Sequence, residues 1–233
     1  MTLLSATGLT KAYGGVRAVD GVDLAVDAGQ MVAMIGPNGA GKSTCFGMIG
    51  GQIRPDAGRV QLDGVDITAY PPKSRARLGL GRTFQVAQVF ASMTVGENLA
   101  VATRGTVRPL LLDRVGLAGA ADRPAAALAY GDIKRLELAL ALATGPRLLL
   151  MDEPTAGMAP AERRSLMTLI AGLARDDGLA VLFTEHDMDV VFGHADRILV
   201  LDRGRLIAAG EPAAIRADAR VRAVYLGQGD GTC

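Results

Sequence analysis

The sequence predicts an α/β fold with a parallel-sheet core under helical cover, an antiparallel β subdomain and an inserted helical subdomain. Three observations predict it. From Arg147 onward, short apolar runs alternate with longer amphipathic stretches, the βαβ pattern of a parallel sheet. Up to Gly64, short β-like runs alternate with turn residues instead. Between the two, beginning at Pro71-Pro72, the pattern loosens into helical segments with short polar breaks. A chain of 233 residues fits one domain on the usual scale of roughly 100 to 200 residues. Residues 1–233 therefore read as a single domain, with the insertion over approximately residues 86–145.

The elements follow in order. Val22 to Val26 reads as a strand closed by a turn at Asp27-Ala28-Gly29, and the apolar run Met31 to Ile35 as a buried strand. Arg59 to Leu62 precedes Asp63-Gly64, the dipeptide of a tight hairpin. Helical segments are expected over Lys73 to Leu78, Val95 to Ala102 and Pro109 to Val115, with Ala118 to Ala129 a loop or weak helix. Leu148 to Met151 is a strand, followed by a helix whose Leu166, Leu169, Ile170 and Leu173 share one face. Ala180 to Phe183 and Ile198 to Leu201 complete the alternation.

Composition excludes several classes. With 49% hydrophobic and 21% charged residues the chain is not intrinsically disordered. Lys and Arg number 25 against 24 Asp and Glu, so no global field gathers nucleic acid or anionic lipid, and no nucleic-acid partner is expected. No apolar run approaches the roughly 20 residues a membrane span needs. The start, Met1-Thr2-Leu3-Leu4-Ser5-Ala6, lacks the pattern of a secretory signal, which points to the cytosol. Cys45 and Cys233 read as small residues rather than a bridge or a metal site.

Chemistry concentrates at Gly36-Pro37-Asn38-Gly39-Ala40-Gly41-Lys42-Ser43, followed by Thr44. This matches G-x-x-x-x-G-K-[ST] between an apolar strand and a helix-compatible stretch, the context a phosphate-binding loop requires. Glycines let successive backbone N–H groups face phosphate oxygens, and the next helix adds its positive dipole end. Lys42 supplies a point charge for the β and γ phosphates, and the Ser43 hydroxyl is a ligand for Mg²⁺. The alternative is a Gly-rich turn, but an accidental match in a chain this long is on the order of 1%.

Leu148-Leu149-Leu150-Met151-Asp152-Glu153 is an apolar strand ending in two acids. Taken alone, the acids read as a helix or turn cap. Beside a phosphate loop, Asp152 can hold the magnesium shell and Glu153 can polarise an attacking water.

Further motifs narrow the choice among phosphate-loop proteins. The chain carries Tyr13 in Lys11-Ala12-Tyr13-Gly14-Gly15, and Gln85 in Arg82-Thr83-Phe84-Gln85. Beyond them come Leu128-Ala129-Tyr130-Gly131-Asp132 and His186 in Thr184-Glu185-His186-Asp187. Singly, each has a bland reading: a strand-edge aromatic, a solvated Gln, a satisfied structural His. In this order and spacing they resemble the ATP-binding cassette of ABC transporters, from about Leu3 to Leu226.

The resemblance implies the ABC ATPase variant of the P-loop NTPase fold, with ATP and Mg²⁺ as ligands. It implies that Tyr13 stacks on adenine, Gln85 contacts magnesium and the membrane partner, and His186 contacts the γ-phosphate. It further implies that Leu128, Ala129, Tyr130, Gly131 and Asp132 form the signature that grips ATP in the opposite subunit. Within the family the chain resembles the branch that imports branched-chain amino acids, with amide and urea relatives. Such importers pair two cassettes, usually different chains and sometimes copies of one, with two membrane-spanning permease subunits and an extracytoplasmic solute-binding protein. The expected place is peripheral, at the cytoplasmic face of the plasma membrane.

The match departs from the family's pattern in three places. Ala129 and Tyr130 stand where Ser and the first Gly of the common signature lie, which removes a hydroxyl hydrogen bond worth about 0.5–3 kcal/mol. Ala159 stands in Thr155-Ala156-Gly157-Met158-Ala159 where Asp or Asn is general, and the helical insert is short between Asn98 and Val115. The rival functions are a soluble ABC-type ATPase in cofactor assembly or nucleic-acid handling, and an exporter subunit. A GTPase is disfavoured because no Asn-Lys-x-Asp occurs, and a small-molecule kinase because no Arg-rich lid does.

Overall fold

The computed structural model describes residues 1–83, 89–103 and 109–225. In chain order the elements are β1 (Thr2–Tyr13), β2 (Val16–Asp27), β3 (Met31–Ile35), α1 (Lys42–Gly50), β4 (Ala57–Leu62), β5 (Val65–Asp66), α2 (Pro72–Arg77) and β6 (Leu80–Arg82). They continue with α3 (Val95–Ala102), α4 (Pro109–Arg114), a 3₁₀ turn at Ala125–Ala127, α5 (Tyr130–Leu142), β7 (Leu148–Asp152) and α6 (Pro160–Asp177). The chain then forms β8 (Ala180–Thr184), α7 (Met188–His194), β9 (Arg197–Asp202), β10 (Arg205–Gly210), α8 (Pro212–Ala217) and α9 (Ala219–Tyr225).

The strands form two sheets. A six-stranded sheet runs β10-β9-β3-β8-β7-β6, parallel except for the β10 edge, and a four-stranded antiparallel sheet runs β2-β1-β4-β5. The inner parallel strands are apolar at nearly every position because both faces are covered. Along β3, Met31, Ala33 and Ile35 pack with α3, α5 and α6, while Val32 and Met34 pack against α1 and the antiparallel sheet. The same division holds in β7, where Leu149 and Met151 face one core and Leu148 and Leu150 the other. Helix α1 is thus enclosed between the two sheets through Cys45, Phe46, Met48 and Ile49, all fully buried.

The parallel core, antiparallel sheet and helical stretch are as expected, and α3 has the expected bounds. The hairpin is present as well: Asp63 and Gly64 both take left-handed φ, 51° and 76°, which a two-residue turn of this hand requires. The N-terminal strands are much longer than the short runs the sequence suggested, 12 residues each. Bulges explain this, since β1 changes register against β2 between Ala6 and Leu9 and again before Lys11 and Ala12, which breaks the alternation. Strand β6, of three residues, and the antiparallel β10 were not expected. Helices α3, α4 and α5 follow one another between β6 and β7, and their Val95, Leu99, Leu112 and Leu136 join the same apolar cluster as one face of the parallel sheet.

Candidate functional site

The phosphate loop begins where buried β3 ends and finishes as α1 starts. Its glycines are demanded by close packing. A Cβ on Gly36 would stand 2.3 Å from the Leu201 carbonyl oxygen, and one on Gly41 would stand 2.4 Å from that of Ala18. Gly41 also takes φ 102°, which side-chain-bearing residues rarely adopt. The loop is braced from behind by the β9–β10 turn, whose Gly204 N–H donates to Ala40 O at 3.0 Å. No acidic residue occupies the first turn of α1, so its positive end stays open to an anion.

Lys42, the first residue of α1, is buried, and its Nζ donates to Gly36 O at 2.5 Å and Pro37 O at 3.1 Å. Burial pulls its ammonium below the usual lysine range, and the carboxylates of Glu153 and Asp152 push it back up. Strand β7, which ends at Asp152 just before Glu153, lies one strand from β3, which leads into the loop, so the two motifs meet at the same end of the parallel sheet. Ser43 is exposed next to Lys42 and Thr44 is partly buried.

Asp152 ends β7, and Glu153 follows in a left-handed conformation, φ 49°. Such a backbone costs a non-glycine residue roughly 1–3 kcal/mol and persists only where its surroundings impose it. Here Thr184, at the end of β8, does so. Glu153 N–H donates to Thr184 O at 3.2 Å and Thr184 Oγ1 at 3.0 Å, and that hydroxyl donates to Asp152 Oδ1 at 2.7 Å. Arg82 reaches the other Asp152 oxygen at 3.9 Å, and its NH1 donates to Gln52 Oε1 at 2.7 Å. His186 Nε2 lies 2.9 Å from Glu153 Oε1. Lys42, Asp152, Glu153 and His186, named from sequence, therefore share one site.

Thr184 was not singled out from the sequence, nor was Glu185. The buried Glu185 accepts from Thr155 N at 2.8 Å and Thr155 Oγ1 at 2.6 Å, so it holds the loop that follows Glu153. Arg163 ties that loop to the His186 loop, donating to Met158 O at 2.7 Å and Asp187 Oδ2 at 2.8 Å. Their partners lie about thirty positions away, or across two loops, and local spacing carries no such signal.

Other expected residues lie apart. Tyr13 closes β1 with its ring half exposed and Lys11 Nζ 5.7 Å from the ring centroid. At the start of α5, Leu128 and Gly131 are buried, Ala129 and Tyr130 exposed and Asp132 partly buried. Among the described residues, the Tyr130 hydroxyl donates to Ala156 O in the loop after Glu153, while Leu128 N–H donates to Ala125 O and Ala129 O accepts from Ile133 N–H. Ala159 caps α6 with no side-chain acceptor. Gln85 lies outside the described residues.

A family model described as ABC transporter matches residues 19–156, more than half of the chain. The chain belongs to the ABC transporter ATPase family. This cassette also matches, over residues 205–231, a model described as branched-chain amino acid ATP-binding cassette transporter. It is 40% identical to the high-affinity branched-chain amino acid transport ATP-binding protein BraF of Pseudomonas aeruginosa, over 97% of this chain and 98% of the relative. It is 38% identical to the corresponding LivG protein of Escherichia coli K12, with the same coverage. Among solved structures it superposes on the ADP conformation of an ABC transporter cassette with a TM-score of 0.90 and 32% identity, covering 97% of this chain and 99% of that one.

The cassette is thus an ATP-binding ATPase of a type that works in transporter complexes. Among its described residues no helix is long and apolar enough to cross a membrane.

Proposed function

We propose that this cassette is one of two that hydrolyse ATP to drive import of branched-chain amino acids or related amides. It would lie at the cytoplasmic face of the plasma membrane, held by two permease subunits, with an extracytoplasmic binding protein delivering the solute. The likeness to BraF and LivG and the match over residues 205–231 support the solute class. The second cassette is a different chain, with a homodimer as the alternative.

In this reading the backbone of Gly36 to Gly41, with Lys42 and Thr44, cradles the phosphates, and Tyr13 stacks on adenine. Lys42 exchanges its bonds to Gly36 O and Pro37 O for phosphate oxygens. Glu153 accepts a proton from the attacking water, His186 holds that carboxylate and meets the γ-phosphate, and the signature completes the partner's site. The donors fit Mg²⁺, which needs only one or two protein oxygens because phosphates and water supply the rest. Ser43 and Asp152 provide them, with Gln85 as a further ligand, and the ion would neutralise charge developing on the phosphates.

The observation that carries the hydrolytic reading is the Glu153–His186 contact, 2.9 Å, at the end of the parallel sheet where the phosphate loop also lies. Glu153→Gln keeps the shape and removes the base. In the assembled complex hydrolysis is expected to fall by roughly 10² to 10⁴, the usual contribution of a positioned general base, while ATP binding persists. Near-parent turnover would overturn the assignment. Co-purification from membranes tests the partners, and recovery without permease subunits would count against the transport reading.

A further inference from the structure

The residue that stands out beyond this machinery is Tyr130. At the head of α5 its hydroxyl donates to the carbonyl of Ala156 at 3.1 Å. Its ring lies against Gly157, where an added Cβ would sit 3.4 Å from Cε1. Lys134, one turn along α5, is buried, paired with Glu137 at 3.3 Å, and carries its Nζ 5.9 Å from the ring centroid. The ring therefore has the Gly157 backbone and the Lys134 ammonium as neighbours.

The loop that Tyr130 touches is the one that leaves Glu153. Ala156 N–H donates to Glu153 O at 3.1 Å, so the residue carrying the Tyr130 contact is also bonded to the backbone of the proposed base. Elsewhere the loop is held by Glu185 through Thr155 and by Arg163 through Met158. Glu185 follows β8 and Arg163 lies on α6. Tyr130 is the anchor that comes from the signature segment.

We propose that Tyr130 is a positioning residue that couples the signature helix α5 to Glu153 of its own chain, so that displacement of α5 moves the loop that sets the base. This rests on the reading above, in which Glu153 is the base and the signature serves a second cassette. The Tyr130 hydroxyl acts in cis, through Ala156. A glycine at this position, as in the common signature, has no side chain with which to make the link.

The test is Tyr130→Phe in the assembled complex, since it deletes one hydroxyl from a half-exposed ring and leaves the ring packing in place. The expected result is a fall in kcat of about 3- to 10-fold, the rate equivalent of one ordinary hydrogen bond, with KM for ATP unchanged. A raised KM with unchanged kcat would mean that the hydroxyl serves nucleotide binding, and would overturn the proposal. Unchanged kcat and KM with a lowered Tm would reduce Tyr130 to a packing residue, with the same consequence. Glu153→Gln in the same complex separates the two levels. If that variant is inactive and Tyr130→Phe is not impaired, the coupling alone fails. If Glu153→Gln turns over at the parent rate, the underlying reading fails.

Discussion

Lys42 is held between two opposing influences, burial that disfavours its charge and two carboxylates that favour it. A charge kept in a water-poor position acts more strongly on phosphate oxygens than the same charge in solvent. Lys42→Ala is therefore expected to abolish tight ATP binding or hydrolysis, read by nucleotide titration and phosphate release. Hydrolysis within a factor of two of the parent would show that the loop is not the phosphate site. Tyr13 offers the opposite case, an exposed ring whose neighbour is Lys11. Its replacement by Ala should weaken ATP binding by about 1–3 kcal/mol, the range for a base stacked on an aromatic ring, with turnover at saturation unchanged. Equal affinity in the two proteins would leave Tyr13 as an ordinary end of β1.

At the scale of elements, the fully buried Arg75 of α2 governs how α1 ends. Its guanidinium donates to Met48 O at 2.7 Å, Ile49 O at 2.5 Å, Tyr70 O at 2.9 Å and Thr68 O at 3.0 Å. The first two are last-turn carbonyls of α1; Met48 O also accepts from the capping Gly51 N–H at 3.3 Å, and Arg75 supplies the charged donor to both. Burial brings the Arg75 guanidinium down to about 10, against the opposing pull of Asp66, so it stays charged at neutral pH. Arg75→Leu should cost about 3 kcal/mol or more, because buried carbonyls lose a charged donor. A denaturation midpoint no lower than that of Lys73→Ala, an exposed change on the same helix, would show that these carbonyls find other partners. Nothing in the sequence marked this role, since an Arg in a short polar helix looks solvated.

The same limit separates what was legible from what was not. Lys42, Asp152, Glu153 and His186 could be found because each lies in a short pattern that follows or ends a core strand, Lys42 opening α1 after β3, and whose chemistry constrains neighbouring positions. Thr184, Glu185 and Arg163 act on residues of other strands and loops, and Thr184 reaches Asp152 across 32 positions. Buried parallel strands were legible from apolar runs alone. Strand β1 was not, because its bulges shift the side-chain alternation, and β6 is too short to show a period.

For the whole molecule, the decisive property is where the site opens. The core strands β3, β7 and β8 deliver their functional residues to one edge of the parallel sheet, beyond which Pro37, Asn38, Gly39, Ser43 and His186 are exposed. Although Lys42 itself is buried, water reaches these exposed groups, which weakens their electrostatic hold on a phosphate. Within this chain Tyr130 of the proposed signature is bonded to Ala156, on the loop leading away from Glu153. In the proposed reading a second cassette supplies the cover, and association depends on concentration. The specific ATPase activity of the isolated chain should therefore be low and should rise with protein concentration until dimers saturate, more steeply when the proper partner is a different chain and is added. Rate measurements across a dilution series, paired with size-exclusion chromatography in ATP, decide the matter. Glu153→Gln should accumulate as an ATP-dependent dimer under the same conditions, because binding without turnover leaves the cover in place. If specific activity stays constant down to concentrations at which chromatography finds only monomer, one chain closes its own site, and the assignment of Leu128 to Asp132 as a signature acting on a partner is wrong.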